Sequence, residues 1–490
     1  MPCAITYVGY PSESEAIAIK RLTPLHLLPL TLLLFCPLVL FGCGGGGEGA
    51  PVSDGASTGG GASSVPTSCV AVESVEALRR VDGRTVTTVI TAGYHRSGDG
   101  CGATYIKDTV MKNAKDNGGT VIVGEDGTRW RAMYQGALPL RLFGAVGDGR
   151  QDDTAAIRAW LAALDDGGSG YAAAGKYRFT ESIVFPLRQD IAIRGDGSQQ
   201  TVFLYDGSDT ACDLFRIGSA EHQLHGWTLE SFNIESKTKM KGGAALHIVN
   251  LKHTNRLRDV SVSRVDDRNG NNVWDGVFLE NCSLTHYVGF EINCQNKGLM
   301  ICGVKDSDAA ADILLDQGTI TFTRIGIHCG GGFGGLYIGQ VLVYGCTETG
   351  YLQDNTLVER GNREIIISDQ CVLDACHSYC ALIDDSLSVQ CTLSFNAFIS
   401  GAGWIDPPTP GTGLLIKKLP QGRVSIASQH IKHCKANGIE LRDNTTYVRV
   451  AATTYLVGNS GWGFYSTCGG YNVKNDALAL YNGKGGSNIG

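Results

Sequence analysis

A short sequence pattern recurs along the second half of the chain and constrains its fold more than any other feature. It runs from apolar residues to Cys or Asn, then over three spacer residues to a second apolar run that usually begins with Gly. The Cys or Asn positions are Cys294, Cys346, Cys376, Cys434 and Asn459. They lie 52, 30, 58 and 25 residues apart, and the two long gaps halve to 26 and 29 if further coils pass residues 323–326 and 399–401. This period is typical of coils that contain three short strands each and stack about 4.8 Å apart.

The composition agrees with stacked coils and excludes several other classes of protein. The chain has 66 Gly, 17 Cys and 13 Pro among 490 residues, without the triplet period of collagen, and 43% of its residues are hydrophobic, too many for wholesale disorder. Its 41 Lys and Arg are outnumbered by 48 Asp and Glu, which argues against a nucleic-acid partner. Because no zinc-type Cys and His spacing occurs, we expect the recurring Cys to pack as an interior ladder and predict no metal site.

The first 43 residues have the order of an export signal. Lys20 and Arg21 precede an apolar stretch, residues 22–42, which ends at Cys43 and four Gly. This ending resembles the lipobox of bacterial lipoproteins, which implies acylation of Cys43 and a membrane-anchored protein of the cell envelope or surface. One alternative is a plain membrane anchor, since 21 residues just span a bilayer. The other is a misassigned start upstream of a virion tail protein. Residues 44–68 are rich in Gly and Ser and are expected to form a flexible tether.

Two segments after the tether resemble parts of known proteins. Residues 69–139 contain short β-type runs between turn clusters, which predicts a small β module, and they resemble the lead-in module of phage tail-fibre and tailspike proteins. Residues 143–160, FGAVGDGRQDDTAAIRAW, closely resemble the opening of the pectate-lyase superfamily domain in tailspike depolymerases and rhamnogalacturonase/epimerase-like enzymes. We expect Asp152 or Asp153 to cap a helix that starts at Thr154.

The resemblance covers roughly residues 70–490 and carries an expectation of fold and function. It implies an all-β chain whose residues 140–490 form a right-handed single-stranded parallel β-helix, closed at its N-terminal end by that capping helix. The apolar face of the helix is expected to consist of Ala155, Ile157, Trp160 and Leu161. The resemblance further implies binding or degradation of a polysaccharide, often by a homotrimer.

A second column of residues follows the apolar runs and predicts a catalytic site. Stacking would set Asp354 and either Asp384 or Asp385 of the next coil about 5 Å apart. Two carboxylates this close cannot both ionise easily, so one pKa should rise and leave a proton for a leaving oxygen. A spacing of about 5 Å between the carboxylates is typical of a retaining glycosidase. A wider spacing of about 6.5–9.5 Å is typical of an inverting enzyme. The alternative interpretation is that these residues form ordinary turns.

Further candidates surround this column. They are Asp369 and Asp374 as secondary carboxylates, Lys417 and Lys418 to pair with Asp385 or bind an acidic sugar, and Trp404, Tyr351 and Tyr344 as substrate-binding aromatic residues. Trp404 precedes a Pro-rich loop, where an exposed ring would make a platform for a sugar. Residues 266–272 offer oxygen ligands for calcium but lack the distal Glu of an EF-hand loop, so a turn is the simpler interpretation.

The sequence leaves three functions open. The leading hypothesis is a carbohydrate-active enzyme that cleaves an extracellular or surface polysaccharide by hydrolysis with paired carboxylates and no cofactor. The second is a polysaccharide lyase of the same fold, with Lys or Arg as the base on an acidic sugar and commonly with calcium. The third is a non-catalytic glycan-binding adhesin or tailspike-like protein.

Overall fold

The computed structural model describes residues 67–263, 272–305, 310–388, 390–405, 408–470 and 472–489. The signal segment with Cys43, the tether and most of the candidate calcium loop lie outside these residues. Within the described ranges, no helix is both long enough and apolar enough to cross a bilayer.

The described chain begins with a small sheet. Its five strands are Thr67–Val72, Val86–Thr91, Thr104–Lys107, Val121–Val123 and Arg129–Met133, with one short helix, Val75–Arg79, between the first two. The first pair of strands is parallel and the remaining pairs are antiparallel. Tyr105, Ile122 and Trp130 are fully buried and form its core.

The rest of the described chain is a parallel β-helix of about 12 coils with three faces. Sheet A, the first face, has twelve strands within the described ranges: Ile183–Val184, Phe215–Ile217, Ala244–Val249, Asp275–Glu280, Lys297–Cys302, Ile325–Cys329, Thr349–Gln353, Tyr379–Asp384, Thr412–Lys418, Ile439–Leu441, Trp462–Ser466 and Gly485–Ser487. Sheet C, the third face, has eight: Glu291–Ile292, Gly318–Thr321, Val341–Tyr344, Val372–Asp374, Phe398–Ser400, His430–Lys432, Tyr455–Val457 and Leu478–Leu480. A separate parallel pair is formed by Leu224–His225 and Leu251–Lys252.

Sheet B, the second face, contains the largest number of strands in the described part of the chain. Its sixteen strands are Leu138–Pro139, Asp148–Asp152, Ser169–Tyr171, Gly175–Phe179, Ala192–Arg194, Thr201–Tyr205, Thr228–Ser236, Asn255–Ser261, Ser283–Val288, Ala311–Asp316, Gly334–Ile338, Glu364–Ile367, Thr392–Phe395, Arg423–Ile426, Tyr447–Val450 and Val473–Asn475. The predicted fold class, an all-β right-handed parallel β-helix behind a small β module, is confirmed.

The capping helix spans Thr154–Ala162, after a 3-10 turn at Leu140–Phe143. Trp160 is buried, and its indole N–H donates to the Leu138 carbonyl oxygen at 2.8 Å. Ile157 and Leu161 are buried as expected, but Ala155 is exposed.

The two carboxylates before this helix have different structural roles. Asp152 Oδ1 accepts the backbone N–H of Thr154 at 3.0 Å, as expected of a capping residue. Asp153 instead accepts the N–H groups of Val146 and Gly147 at 2.8 and 3.1 Å, and so holds the preceding loop against the helix. Burial raises the pKa of Asp153 to about 6.

The recurring Cys form the predicted interior ladder. Neighbouring strands of sheet C align four residues with one another: Leu373, Ile399, Ile431 and Leu456. The residues that lie three positions after each of these therefore form one column. That column contains Cys376, Ala402, Cys434 and Asn459, all buried. The coils expected near residues 323–326 and 399–401 are both present, with strands Ile325–Cys329 and Phe398–Ser400.

The ladder also explains why Gly usually follows the Cys or Asn after a short spacer. A Cβ atom on Gly350 would lie 2.8 Å from Sγ of Cys376 in the next coil and 2.7 Å from the Cys380 carbonyl oxygen. On Gly413 it would lie 3.0 Å from Sγ of Cys434. The coils of Gly350 and Gly413 thus omit a side chain where the following coil inserts one.

The ladder cysteines are packing residues in this structure. Cys346, Cys376 and Cys434 are free thiols and buried. Burial raises the pKa of Cys434 to about 12, so its thiol stays neutral at physiological pH.

The Gly and Cys pairing makes a testable prediction about stability. We expect Gly350→Ala to lower the free energy of unfolding by about 1–3 kcal/mol, because the added methyl group overpacks the interior. Gly334→Ala is the matched control: it also lies in a strand, but its nearest neighbouring atom is 3.5 Å from the added Cβ. Urea unfolding of both variants measures the difference, and equal losses would contradict the ladder model.

Candidate functional site

The outer face of sheet A carries a row of side chains from successive coils. Strand register places Arg216, His247, Phe278, Met300 and His328 at one level. Since neighbouring strands lie about 4.8 Å apart, the row crosses five coils as a straight line of polar and apolar groups.

A charged cluster lies at the N-terminal end of this row. His247 Nδ1 lies 2.7 Å from Asp213 Oδ2, and its Nε2 lies 2.9 Å from Glu280 Oε2. Arg216 Nη1 donates to Asp213 Oδ2 at 3.0 Å. The ring of Phe278 stacks on the imidazole with a centroid distance of 4.5 Å and an interplanar angle of 15°. We call Asp213, Arg216, His247 and Glu280 the imidazole cluster.

The β-helix backbone sets the geometry of this cluster. The other oxygen of Asp213, Oδ1, accepts the N–H of Ala244 at 2.9 Å, where the next strand of sheet A begins. Asp275 accepts the N–H of Lys297 in the same way at 3.0 Å. Because these carboxylates are held by the main chain of the following coil, their positions are fixed by the stacking itself.

Mutual contacts shift the ionisation of the cluster. Burial alone would lower the pKa of His247, but hydrogen bonds to Asp213 and Glu280 outweigh it and raise the pKa above its ordinary value. Burial raises the pKa of Asp213, yet the hydrogen bond from His247 and the backbone N–H of Ala244 bring it below its ordinary value. Asp213 and Glu280 are partly exposed, so the cluster is accessible to solvent.

A second group of charges lies further along the same face. His328 Nε2 is 2.8 Å from Asp354 Oδ1, and Thr356 donates its hydroxyl to Asp354 Oδ2 at 2.9 Å. Burial raises the pKa of Asp354, but the contact with His328 brings it below its ordinary value. Lys297 is half-buried nearby, and desolvation lowers its pKa while Asp275 opposes that change.

Three of the predicted site residues lie together at one edge of sheet A. Asp354 and Asp384 follow neighbouring strands at the same level, as the column predicted. Lys417 Nζ lies 2.6 Å from Asp384 Oδ2, so it pairs with Asp384 and not with Asp385 as expected. Lys418 is exposed, and its carbonyl oxygen accepts the N–H of Asp385 at 2.9 Å.

The catalytic role predicted for Asp385 is wrong. Its carboxylate is fully buried and accepts hydrogen bonds from the amides of Gln353, Asn355 and Asn362 at 2.6–2.8 Å, and from the backbone N–H of Ser388 at 3.1 Å. The Ser388 hydroxyl donates to it as well. A carboxylate enclosed by five donor groups fastens the loop between the two strands and cannot reach a substrate. Asp385 thus follows the alternative interpretation, that of a turn residue.

The aromatic candidates have three different environments. Tyr351 is fully buried in the β-helix interior, so its predicted role in substrate binding is wrong. Tyr344 is partly exposed on sheet C, where it packs edge-on against Phe322. Trp404 is 54% exposed, on the loop that leads into strand Thr412–Lys418, with Lys435 Nζ 3.8 Å above its ring.

The secondary carboxylates lie away from sheet A. Asp369 is exposed in the turn between sheets B and C. Asp374 ends the sheet C strand Val372–Asp374, and burial raises its pKa. Neither lies on the face that carries Asp354, and their role as secondary catalytic carboxylates stays a prediction.

The sequence interpretation missed most of the imidazole cluster. Glu280 directly follows the apolar run 276–279, as the candidate carboxylates of the predicted column follow theirs, but Asp213 and His247 lie outside the recurring Cys and Gly pattern. A usable signal was the spacing: His247 follows Asp213 by 34 residues and precedes Glu280 by 33, close to one coil in each case. In the described part of the chain, no three His, Cys, Asp or Glu side chains are arranged to hold a metal ion.

Comparison with known protein families agrees with this architecture. Residues 140–351 match the family model described as rhamnogalacturonase A/epimerase, pectate lyase-like. Residues 71–135 match the model of the phage tail protein small four-stranded beta-sheet domain. The chain therefore carries a pectate-lyase-like β-helix domain preceded by a phage-tail sheet domain, and the resemblance seen in the sequence is confirmed. A comparison with curated proteins gives no match.

Solved structures show a likeness of fold. The gp42 tailspike of Acinetobacter phage vb_AbaP_AS12 aligns with a TM-score of 0.51 at 9% identity, over 86% of this chain and 75% of that one. Tailspike protein 2 of Escherichia coli O157:H7 bacteriophage CAB120 aligns at 0.47 and 12% identity, over 74% of this chain. The alignment spans about half (51%) of that tailspike's length. The mannuronan C-5 epimerase AlgE4 A-module of Azotobacter vinelandii aligns at 0.47 and 16% identity, over 72% and 99% of the two chains.

The shifted pKa of His247 makes a prediction about pH. A histidine whose pKa is raised in the folded state adds stability below its unfolded pKa of 6.5, and this is lost as pH rises through the folded pKa. We therefore expect His247→Gln to lower the melting temperature more at about pH 6 than at about pH 9.

The exposed His286 on sheet B provides the control. His286→Gln should show no such difference between the two pH values, because its side chain is exposed on the strand Ser283–Val288. Thermal unfolding followed by circular dichroism measures both variants. A loss in His247→Gln that is the same at both pH values would show that Asp213 and Glu280 do not stabilise a charged imidazole.

Proposed function

We propose that this protein cleaves an extracellular polysaccharide by hydrolysis on the outer face of sheet A. The observation that carries the proposal is the imidazole cluster, in which two carboxylates bind one histidine on a solvent-accessible surface. A straight face built from stacked coils suits a linear polymer better than a small metabolite. The match of residues 140–351 to a family described by rhamnogalacturonase and epimerase activities supports a polysaccharide substrate.

The proposed chemistry assigns different roles to the two carboxylates. His247, whose pKa is raised, is the proton source: it transfers its Nε2 proton to Glu280, which passes that proton to the leaving oxygen and returns to its ionised form. Asp213, whose pKa is lowered, stays ionised and acts as the base that activates water.

The two carboxylates lie on either side of His247. Asp213 contacts its Nδ1 edge and Glu280 its Nε2 edge, so the imidazole occupies the space between them. Analysis of the anomeric configuration of the product distinguishes a retaining from an inverting reaction. We place the site here and not at Asp354 and Asp384, which the sequence indicated, because in the imidazole cluster two carboxylates converge on one histidine.

Phe278 and Arg216 would bind the sugar next to the reacting bond. Phe278 lies in the same row, one coil beyond His247, and offers an aromatic face of the kind on which sugars stack. Arg216 extends the cluster on the opposite side and would pair with an acidic sugar substituent.

A lyase reaction at the same face is the second candidate, and Lys297 is the observation that favours it. Desolvation lowers the pKa of this half-buried ammonium, which brings it closer to the range of a general base. The reaction would remove a proton beside the carboxylate of an acidic sugar and leave an unsaturated product that absorbs ultraviolet light.

Substitution of Glu280 tests the proposed hydrolysis. With a panel of bacterial surface polysaccharides, we expect the full-length protein to release new reducing ends without ultraviolet absorbance. Glu280→Gln should lower the rate by about 100-fold or more, because it removes the proton donor. Asp384→Asn is the matched control, a carboxylate of the same sheet outside the cluster, and should keep the wild-type rate.

Three outcomes would contradict this assignment. An equal loss of cleavage rate in Glu280→Gln and Asp384→Asn would indicate a catalytic site at the edge of sheet A that carries Asp384. An unsaturated product that disappears in Lys297→Ala would select the lyase. Binding of a polymer without cleavage by the wild-type protein would select a glycan-binding adhesin or tailspike-like protein.

We further propose that the protein acts outside the cytoplasm, as a trimer, with its N-terminus anchored by lipid at Cys43. The apolar segment before Cys43 supports export, and the match to a phage-tail sheet domain supports an extracellular or virion-associated setting. Expression with an alkyne-bearing fatty acid should label the wild-type protein, and Cys43→Ser should abolish the label. Labelling that persists in Cys43→Ser, or none in either protein, would favour the misassigned start or a plain anchor.

A further inference from the structure

A groove of about 820 Å³ lies on the outer face of sheet B, away from the imidazole cluster. It crosses the four neighbouring strands Thr392–Phe395, Arg423–Ile426, Tyr447–Val450 and Val473–Asn475. Because successive coils are in register, the outward side chains of these strands form rows along the groove.

The groove contains three cations on three successive coils. They are Arg423, Arg449 and Lys474, and all are exposed. Arg449 and Lys474 are direct register partners, and Arg423 lies one coil earlier and two positions back, beside Tyr447. Arg449 and Lys474 therefore lie one coil spacing apart, about 4.8 Å, while Arg423 lies diagonally across the groove from Arg449.

Among the described residues, two of the three cations of this groove lack the carboxylate partners that cations on sheet A have. On sheet A, Arg216, Lys417 and Arg442 form ion pairs with carboxylates 2.6–3.0 Å away. In the described part of the chain, neither Arg423 nor Arg449 has a carboxylate within 4.0 Å. Lys474 alone has one, with Nζ 3.4 Å from Asp476.

Two carboxylates border the groove, and one of them, Asp476, pairs with Lys474. Asp476 lies at its far end, and Glu364 lies on the adjoining strand, level with Thr392. The whole chain has a formal charge of −7, so a local excess of positive charge stands out against its surroundings. Such a patch attracts anions that the rest of the surface repels.

Neutral groups complete the chemistry of a sugar-binding site. Tyr447 is 61% exposed and presents an aromatic ring between the coils of Arg423 and Lys474. Hydroxyl groups of Ser394 and Ser425 line the groove next to the cations. Guanidinium groups recognise carboxylates, and aromatic faces stack on sugar rings.

We propose that this groove is a second binding site, separate from the cleavage face, which holds an anionic polysaccharide through Arg423, Arg449, Lys474 and Tyr447. The proposal rests on the proposed function only in assuming a polysaccharide ligand. It assigns binding to sheet B and cleavage to sheet A, so the two are measured independently.

Binding of two cellulose derivatives tests the site. Carboxymethyl cellulose carries carboxylates on the same backbone that hydroxyethyl cellulose presents in neutral form, and titration calorimetry of the full-length protein measures both. We expect binding of carboxymethyl cellulose alone, weakened by added salt. Arg449→Ala with Lys474→Ala should lower the affinity about tenfold or more.

Matched variants show whether the loss of affinity is specific to the groove. Arg256→Ala removes an exposed arginine from sheet B outside the groove and should bind like the wild type. Binding is measured directly on the wild-type protein, so a failed cleavage assay leaves the binding result intact. Equal melting temperatures of the three proteins would show that the fold is unchanged.

Three results would overturn the proposal. One is unchanged affinity in the Arg449→Ala, Lys474→Ala variant. Another is equal binding of the charged and neutral celluloses. The third is a change of oligomeric state in that variant by sedimentation velocity, which would show that the groove contacts a second copy of this chain.

Discussion

The vertical packing between one coil and the next is the constraint on which the rest of this structure depends. Gly350 has no side chain because Sγ of Cys376 occupies the space above it, and Gly413 stands in the same relation to Cys434. A coil that slipped by one residue would place a Cβ against a thiol or a carbonyl oxygen. Interiors are packed too densely to absorb that contact, so the ladder holds every coil in one register.

Register inside the β-helix determines which charges meet outside it. Asp213, His247 and Glu280 are each about one coil apart in sequence and come within hydrogen-bond distance because their strands are level. The same rule gives different results at two places. At the imidazole cluster, stacking joins Arg216 and His247 to carboxylates, whereas in the groove on sheet B it places Arg449 beside Lys474. One backbone rule thus produces a paired cluster on one face and a row of like charges on another.

The sequence was sufficient to predict the coils because their signal is local. The spacing from Cys346 to Gly350 lies within one turn, and its repetition revealed the stack, including the two coils without Cys at the expected place. The candidate site was predicted only in part. Asp354 and Asp384 do lie level at one edge, but the enclosure of Asp385 depends on a loop from the preceding coil that brings in Asn355 and Asn362. A periodic sequence pattern does not predict that a loop of one coil contacts a carboxylate of the next.

The two proposed sites differ in how strongly salt should affect them. The chemistry at sheet A depends on hydrogen-bond distances around His247, which salt screens little because the imidazole is largely buried. Binding in the groove on sheet B depends on exposed charges, so salt directly lowers the affinity for an anionic polymer. A polymer held in that groove would be at a raised local concentration at the cleavage face without any contact to Glu280. Salt should therefore raise the substrate concentration needed for cleavage while leaving the rate at saturation unchanged.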